Sequence, residues 1–132
     1  MYFREPIYFF NTVVSAGFPS PAGDIFASKI NLEDYLIKNP NTTIFITVSG
    51  DSMKDVGIFS GDMLIVDKSI NPRNNHVILC TLDGQFLVKK LYRIKNSIKL
   101  ISENKNYPLI NINKYDDFKI FGVVIASIKK FL

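Results

Sequence analysis

The sequence has no tryptophan, one cysteine, one histidine and no long apolar run. A single thiol, Cys80, cannot form an internal disulfide, so a reducing cytoplasm is the expected compartment. No stretch approaches the ~18 apolar residues that a membrane helix needs. His76 has no acid or serine within three residues of it, and no His, Cys and carboxylate cluster has metal-ligand spacing. Neither a histidine triad nor a metal or other cofactor is therefore expected.

The residues that are present are those of a folded globular protein. Of the 132 residues, 47% are hydrophobic, 13% are aromatic and 21% are charged. A chain of this length and composition is expected to bury one core in a single domain and not to remain disordered.

Charge is divided unevenly along the chain. Residues 1–66 carry four basic and seven acidic side chains, for a net charge of −3, whereas residues 67–132 carry twelve and five, for +7. A basic half is typical of proteins that contact nucleic acid or an acidic partner, and also of ordinary lysine-rich surfaces. Since no nucleic-acid reading motif accompanies the charge, direct DNA binding is expected to be weak or absent.

The first part of the chain is predicted to be an extended arm, residues 1–25, followed by a folded domain, residues 26–132. Pro19 and Pro21 each fix their own φ angle and disfavour a helix at the residue before them. Asn31 then has the character of a helix N-cap, and a short helix is predicted over residues 32–38.

The remaining signals predict β-structure. Asp83-Gly84, flanked by apolar runs, is a strong hairpin signal. Many short strands at close spacing predict an all-β fold, a strongly curved sheet rolled into a partly open barrel. The predicted strands are residues 43–48, 63–66, 76–82, 85–92, 97–101 and 118–128.

Three short sequence elements, taken together, suggest a catalytic site. Ser52 lies in SGDSM at residues 49–53, Lys89 follows 37 positions later, and AGFP at residues 16–19 lies 36 positions before the serine. A serine hydroxyl is a poor nucleophile until a base removes its proton, and a lysine kept neutral by burial can be that base. The pattern suggests a nucleophile, a base and a peptide bond that they cut within the same molecule.

The immediate surroundings of both residues suit these roles. Gly50 permits the tight backbone that exposes a hydroxyl and presents main-chain N–H groups to an oxyanion. In the predicted second hairpin strand, Lys89 shares a face with Leu87 and Leu91, whereas Lys90 must point to the other face. Lys89 is therefore predicted to be the inward lysine, although turn serines and surface lysines are common.

These residues carry a family resemblance. Residues 49–53 (SGDSM), 61–67 (GDMLIVD), 83–91 (DGQFLVKKL) and 121–125 (FGVVI) resemble the LexA/UmuD family of self-cleaving serine peptidases, in order and at matching spacing. The similarity runs from about Ala16 to Lys129. The short segment before the cleavage site is typical of the UmuD type, because sixteen residues cannot hold the helix-turn-helix domain of a repressor.

The resemblance implies a full set of roles. Ser52 is the expected nucleophile, Lys89 the general base, Ala16-Gly17 the scissile bond, and the backbone N–H groups of Asp51 and Ser52 the oxyanion hole. It further implies cleavage stimulated by a RecA–single-stranded-DNA filament. The shortened protein is then expected to form a homodimer that joins a Y-family, UmuC-like polymerase subunit in error-prone translesion synthesis.

Other interpretations compete with this one. The basic half could belong to a non-catalytic β module that binds single-stranded nucleic acid. A signal peptidase shares Ser–Lys chemistry but is expected to carry a membrane anchor. Residues 7–16 also resemble a secretory signal cleaved by another enzyme, but Glu5, Pro6 and Asn11 interrupt that pattern and only Arg4 supplies positive charge.

Overall fold

The computed structural model describes residues 7–19, 21–23 and 26–132. Parts of the expected arm (residues 1–6, Ser20, Asp24 and Ile25) lie outside the described residues, including the Arg4, Glu5 and Pro6 that argue against a secretory signal. The chain forms two compact units, residues 1–38 and 39–132.

The first unit is a small two-stranded sheet followed by a helical turn. Strand β1 (Ile7–Phe10) pairs antiparallel with β2 (Ala27–Ile30). Helix α1 (Leu32–Leu36) begins as predicted, because the Asn31 side chain accepts a hydrogen bond from the Asp34 N–H at 3.1 Å. The helix ends at Leu36 and not at residue 38, since Ile37 is already extended. The two strands were not predicted.

The second unit confirms the all-β fold. Its seven strands form one antiparallel sheet in the order β3-β4-β9-β5-β6-β7-β8. Within the described ranges the first and last strands do not pair, so the sheet is open and is not a closed barrel. The strands are β3 (Thr43–Thr47), β4 (Met63–Asp67), β5 (Val77–Leu82), β6 (Gln85–Ile94), β7 (Ser97–Ile101), β8 (Ile110–Ile112) and β9 (Phe118–Ile128).

The long strand β9 holds the two halves of this sheet together. Its C-terminal part pairs with β4 and its N-terminal part with β5, and each pairing contains an irregularity in register. Such bulges bend strands and increase their twist. Gly122 lies where β9 packs tightly against β4, since a Cβ at this position would come within 2.6 Å of the Val66 side chain. The β3–β4 connection is thereby brought beside β5 and β6.

The core consists of two apolar clusters on the two faces of β5. Leu79 contributes to one cluster, and its neighbours Ile78 and Cys80 contribute to the other, as expected from the alternation of side chains along a strand. The predicted β5–β6 hairpin is confirmed: Asp83 and Gly84 both have positive φ, 51° and 80°, as a tight type I′ turn requires. Among the described residues, no helix is long and apolar enough to cross a membrane.

Candidate active site

Ser52 lies in the loop that joins β3 to β4, residues 48–62. The base of this loop is closed by two backbone hydrogen bonds, from the Val48 N–H to the Asp62 carbonyl at 2.9 Å and from the Gly61 N–H to the Val48 carbonyl at 2.7 Å. The loop therefore begins and ends at one fixed point on the sheet.

The carboxylate of Asp62 reinforces that point. It is buried, with 4% of the residue exposed. It accepts hydrogen bonds from the Lys129 ammonium at 2.6 Å and the Phe59 N–H at 2.8 Å. The bond from Lys129, and then that from Phe59, lower the pKa of Asp62. The charged carboxylate thus links the base of the loop to the end of β9.

Met53 anchors the loop next to the serine. Its side chain is 2% exposed and packs in the same cluster as Ile58 and Leu79. Burial of a methionine side chain stabilises by about 1.5–3 kcal/mol relative to exposure. Ser52 is only partly buried. The backbone at Ser52 is therefore held by its neighbour, which leaves the hydroxyl accessible.

A second segment, residues 103–107, crosses the loop and fixes Asp51. The Asn104 amide donates to the Asp51 carbonyl at 2.9 Å, and the Tyr107 hydroxyl donates to the Asp51 carboxylate at 2.6 Å. Because this bond needs the phenol proton, it raises the pKa of Tyr107. The Asp55 N–H donates to the Glu103 carbonyl at 2.8 Å, so the same segment holds both sides of Ser52.

Gly50 sets the backbone direction before the serine. Its φ is +95°, a conformation that L side chains rarely adopt, and its N–H donates to the Ser60 hydroxyl at 3.3 Å. Within the described part of the chain, the N–H groups of Asp51 and Ser52 donate no hydrogen bond. Both groups are therefore available to an external acceptor, which is the requirement for an oxyanion hole.

Lys89 is the inward lysine of β6, as predicted. It is 7% exposed and lies opposite Ile78 of β5, next to the fully buried Leu91. Lys90 points to the other face and forms an ion pair with Glu103. The alternation of side chains along the strand thus separates a buried lysine from an ion-paired one.

The Lys89 side chain is largely shielded from solvent. Burial lowers the pKa of Lys89, because the charged form loses water. The amine donates a hydrogen bond to the Ser102 hydroxyl at 2.9 Å and lies 5.5 Å from the centre of the Tyr107 ring. Cys80 is also buried, and burial raises the pKa of its thiol to about 11.

Ser52 and Lys89 line the same cleft, which has a volume of about 300 Å³. This is the lower end of the size range of ligand pockets. One wall is the Ser52 loop and the other is the β5–β6 hairpin. The lining is part apolar and part polar, which suits a short peptide segment with its own backbone polar groups. The residues are Ile46, Thr47, Val48, Ser49, Gly50, Ser52, Met53, Leu79, Phe86, Leu87, Val88 and Lys89.

Ala16 and Gly17 belong to the first unit and are exposed. They follow Ser15, whose hydroxyl accepts a hydrogen bond from the Phe18 N–H at 3.2 Å, so the segment forms a small turn. Open space surrounds the Gly17 Cα. His76, which the sequence did not favour as a triad member, accepts a bond from the Arg73 N–H in a local turn.

Comparison with known proteins identifies the family. The Peptidase S24-like family matches residues 6–125. The chain belongs to this family. It is 41% identical to protein SamA of Salmonella typhimurium, over 87% of this chain and 79% of that one. It is 35% identical to protein MucA of Escherichia coli, over 92% and 84% of the two chains.

A more distant member is the LexA repressor of Marinomonas sp., which is 32% identical over 89% of this chain and 56% of the repressor. The resemblance to the LexA/UmuD family is therefore confirmed, and within that family the chain is a UmuD-like member. The family is one of serine peptidases.

Sequence reasoning missed the segment that supports the site. Ser102, Asn104 and Tyr107 lie in a polar run between β7 and β8, and nothing in their spacing marked them as neighbours of Ser52 or Lys89. Only the pairing of β6 with β7 brings them there. The buried side chain of Asn104 is 3% exposed, but burial of an asparagine in a loop has no signal in a single sequence.

Proposed function

We propose that this Peptidase S24-like protein cleaves its own chain between Ala16 and Gly17, with Ser52 as nucleophile and Lys89 as general base. The observation that carries the proposal is that the serine and a buried lysine line one cleft. The protein is a UmuD-like agent of the SOS response to DNA damage.

The chemistry begins with a proton transfer. Neutral Lys89 accepts the proton of the Ser52 hydroxyl while the serine oxygen attacks the carbonyl carbon of Ala16. Negative charge develops on the carbonyl oxygen, and the N–H groups of Asp51 and Ser52 stabilise it. The tetrahedral intermediate then collapses, the bond to the Gly17 nitrogen breaks, and the Lys89 ammonium gives its proton to the departing amine.

Hydrolysis of the acyl-enzyme completes the reaction. Lys89, again neutral, accepts a proton from water, which attacks the ester carbon. The bond to the Ser52 oxygen then breaks, and the Lys89 ammonium returns the proton to that oxygen. The products are a chain that ends in the Ala16 carboxylate and a chain that begins at Gly17. Because each molecule carries one scissile bond, the reaction occurs once, and regulation acts on docking of the arm into the cleft.

The proposed regulator is a RecA filament on single-stranded DNA. By favouring the docked arm it would exclude water from Lys89 and increase the neutral fraction of the amine at neutral pH. The shortened protein would act as a subunit of a Y-family, UmuC-like translesion polymerase. The similarity to SamA and MucA supports this role.

A homodimer is the proposed assembly. Besides the family relationship, the exposed apolar side chains at the end of the chain support it: Phe131 and Leu132 are 90% and 109% exposed. Light scattering at micromolar concentration is expected to give about twice the chain mass of 15.0 kDa. A particle of the chain mass alone would contradict the dimer.

Mass spectrometry before and after alkaline incubation tests self-cleavage. The wild-type protein is expected to yield a fragment that begins at Gly17, and Ser52→Ala is expected to yield none. Ser97→Ala is a matched control, because Ser97 is an exposed serine at the start of β7. Cleavage that continues in purified Ser52→Ala would refute the nucleophile. Salt-sensitive binding of single-stranded nucleic acid without any fragment would favour the non-catalytic alternative.

A further inference from the structure

Ser102 is the one side chain to which the Lys89 amine donates a hydrogen bond among the described residues. The distance from Nζ to Oγ is 2.9 Å, within the normal range for a hydrogen bond. The two ion pairs in the described part of the chain do not involve Lys89. A hydroxyl, and not a carboxylate, is therefore the polar partner of this buried amine.

The sheet places Ser102 at this position. Lys90 of β6 lies opposite Ile101 of β7, so one further step along the pairing brings Ser102 opposite Lys89. The next residue, Glu103, is fixed by its ion pair with Lys90 and by its backbone contacts to the Ser52 loop. Ser102 is thus held between a strand register and an anchored segment, and its hydroxyl cannot drift far from the amine.

A hydroxyl suits a lysine that must change its charge state. Serine accepts a hydrogen bond from an ammonium and can also donate one to a neutral amine, so it can hold Nζ in both forms. A carboxylate at the same position would favour the ammonium and oppose its action as a base. The other groups that face Nζ are the Cys80 thiol on β5 and the Tyr107 ring, with Asp51 beyond the phenol.

We infer that Ser102 is a positioning residue for the general base: its hydroxyl holds the Lys89 amine in the cleft through the proton transfers of peptide cleavage. The inference rests on the proposed function. It adds a third side chain to the Ser52–Lys89 pair, one that acts on Lys89 without touching the scissile bond.

The first test measures Lys89 directly and needs no cleavage. In a Ser52→Ala background, the Lys89 side-chain amine is titrated by NMR alone and with Ser102→Ala, Ser102→Thr or Ser97→Ala. The hydroxyl bonds both forms of the amine, but its bond from the charged ammonium is the stronger one, so its loss is expected to move the Lys89 midpoint to lower pH in Ser102→Ala. Ser102→Thr keeps the hydroxyl and should keep the midpoint, as should Ser97→Ala. An unchanged midpoint in Ser102→Ala would overturn the inference.

The second test measures cleavage of the otherwise native chain as a function of pH. Ser102→Ala is expected to reduce the high-pH plateau about tenfold or more, because a mispositioned base transfers protons inefficiently. Ser102→Thr should stay within about threefold of wild type, since it rescues the hydroxyl. A plateau in Ser102→Ala equal to or above that of wild type would show that Ser102 does not position the base.

Two further measurements separate the possible failures. If Ser102→Ala does not fold, as judged by circular dichroism, Ser102→Cys replaces it, because a thiol of similar size is a weak hydrogen-bonding group. If the wild-type chain yields no fragment at any pH, the proposed function fails, and the NMR titration still decides whether Ser102 controls the Lys89 amine.

Discussion

The two sides of the cleft are built in different ways. Ser52 lies in an irregular loop that is held by individual contacts from Met53, Asp62 and the segment 103–107. Lys89 lies in the middle of β6, a ten-residue strand paired on both sides. The position of Ser52 therefore depends on several side-chain contacts, whereas that of Lys89 depends on the register of a sheet.

This difference suits the role proposed for each group. An oxyanion hole needs main-chain N–H groups with no partner of their own, which an irregular loop can supply and a paired strand cannot. A neutral lysine needs a dry position, and the interior of a sheet supplies one. The loop side is thus expected to be the more fragile half of the site, and the strand side the more tolerant half.

The largest expected effect comes from the strand side and tests the chemistry. Lys89→Arg keeps a positive charge but cannot be deprotonated in a protein. Cleavage at Ala16-Gly17 is expected to fall by roughly two to four orders of magnitude at high pH, where the wild-type amine is neutral. Lys99→Ala, a strand lysine on β7, serves as the control. If Lys89→Arg cleaves at the wild-type rate, the base has been assigned to the wrong residue.

A pair of truncations tests the difference between loop and strand. Met53→Ala and Leu100→Ala each empty a fully buried position and are expected to cost about 2–5 kcal/mol of unfolding free energy. At a temperature where both proteins remain folded, only Met53→Ala should slow cleavage, because Met53 orients the Ser52 loop. Urea unfolding and fragment appearance measure the two effects. Equal cleavage rates would remove the distinction between the two sides.

The pH dependence of cleavage tests whether burial lowers the pKa of Lys89. A protonated amine cannot accept the Ser52 proton, so the rate should rise about tenfold per pH unit below the Lys89 midpoint. Because burial lowers the pKa of Lys89, the plateau should be reached below the ordinary lysine value of about 10.4. The measurement is the rate of fragment appearance between pH 6 and 11. A flat profile in a folded protein would exclude Lys89 as the titrating base.

The smallest expected effect is a gain in stability. The pKa of Lys89 is lower in the folded than in the unfolded chain, so the unfolded state binds more protons between the two values. The resulting loss of unfolding free energy is complete below the folded-state pKa of Lys89. It disappears above the unfolded-state pKa of about 10.4. Lys89→Met should therefore stabilise the protein at pH 7 by roughly 0.5–2 kcal/mol.

Denaturant unfolding at pH 7 and at pH 10.5 checks this expectation. The gain in stability from Lys89→Met should shrink as pH rises from the folded-state pKa of Lys89 to its unfolded-state pKa, because the wild-type amine becomes neutral over this range. A gain that is equal at both pH values would indicate better packing and not relief of a buried charge.

Much of the second unit could be predicted from the sequence. Strands 97–101 and 118–128 have the predicted bounds, and the hairpin turn lies at Asp83-Gly84 as predicted. These signals are local: β-branched runs, alternation and residues that tolerate positive φ. The burial of Lys89 was also predictable, because two adjacent lysines in a strand cannot point to the same face.

The rest could not be predicted, because it depends on distant pairings. Strand β8 has only three residues and no alternation long enough to recognise. Strands β1 and β2 are joined by a long connection with two prolines, which favoured an arm over a hairpin. The contact between Ser102 and Lys89 exists only because β7 folds back on β6. The assignments of Ser52, Lys89 and Ala16-Gly17 to catalysis remain predictions, and so does the boundary at residue 25.

Lys129 directly follows the last residue of β9. Its ammonium neutralises the buried Asp62 and lies 4.7 Å from the centre of the Phe59 ring. A buried carboxylate that loses its partner destabilises everything packed around it. Loss of the Lys129 ammonium is therefore expected to disturb the Ser52 loop, although Lys129 does not line the cleft.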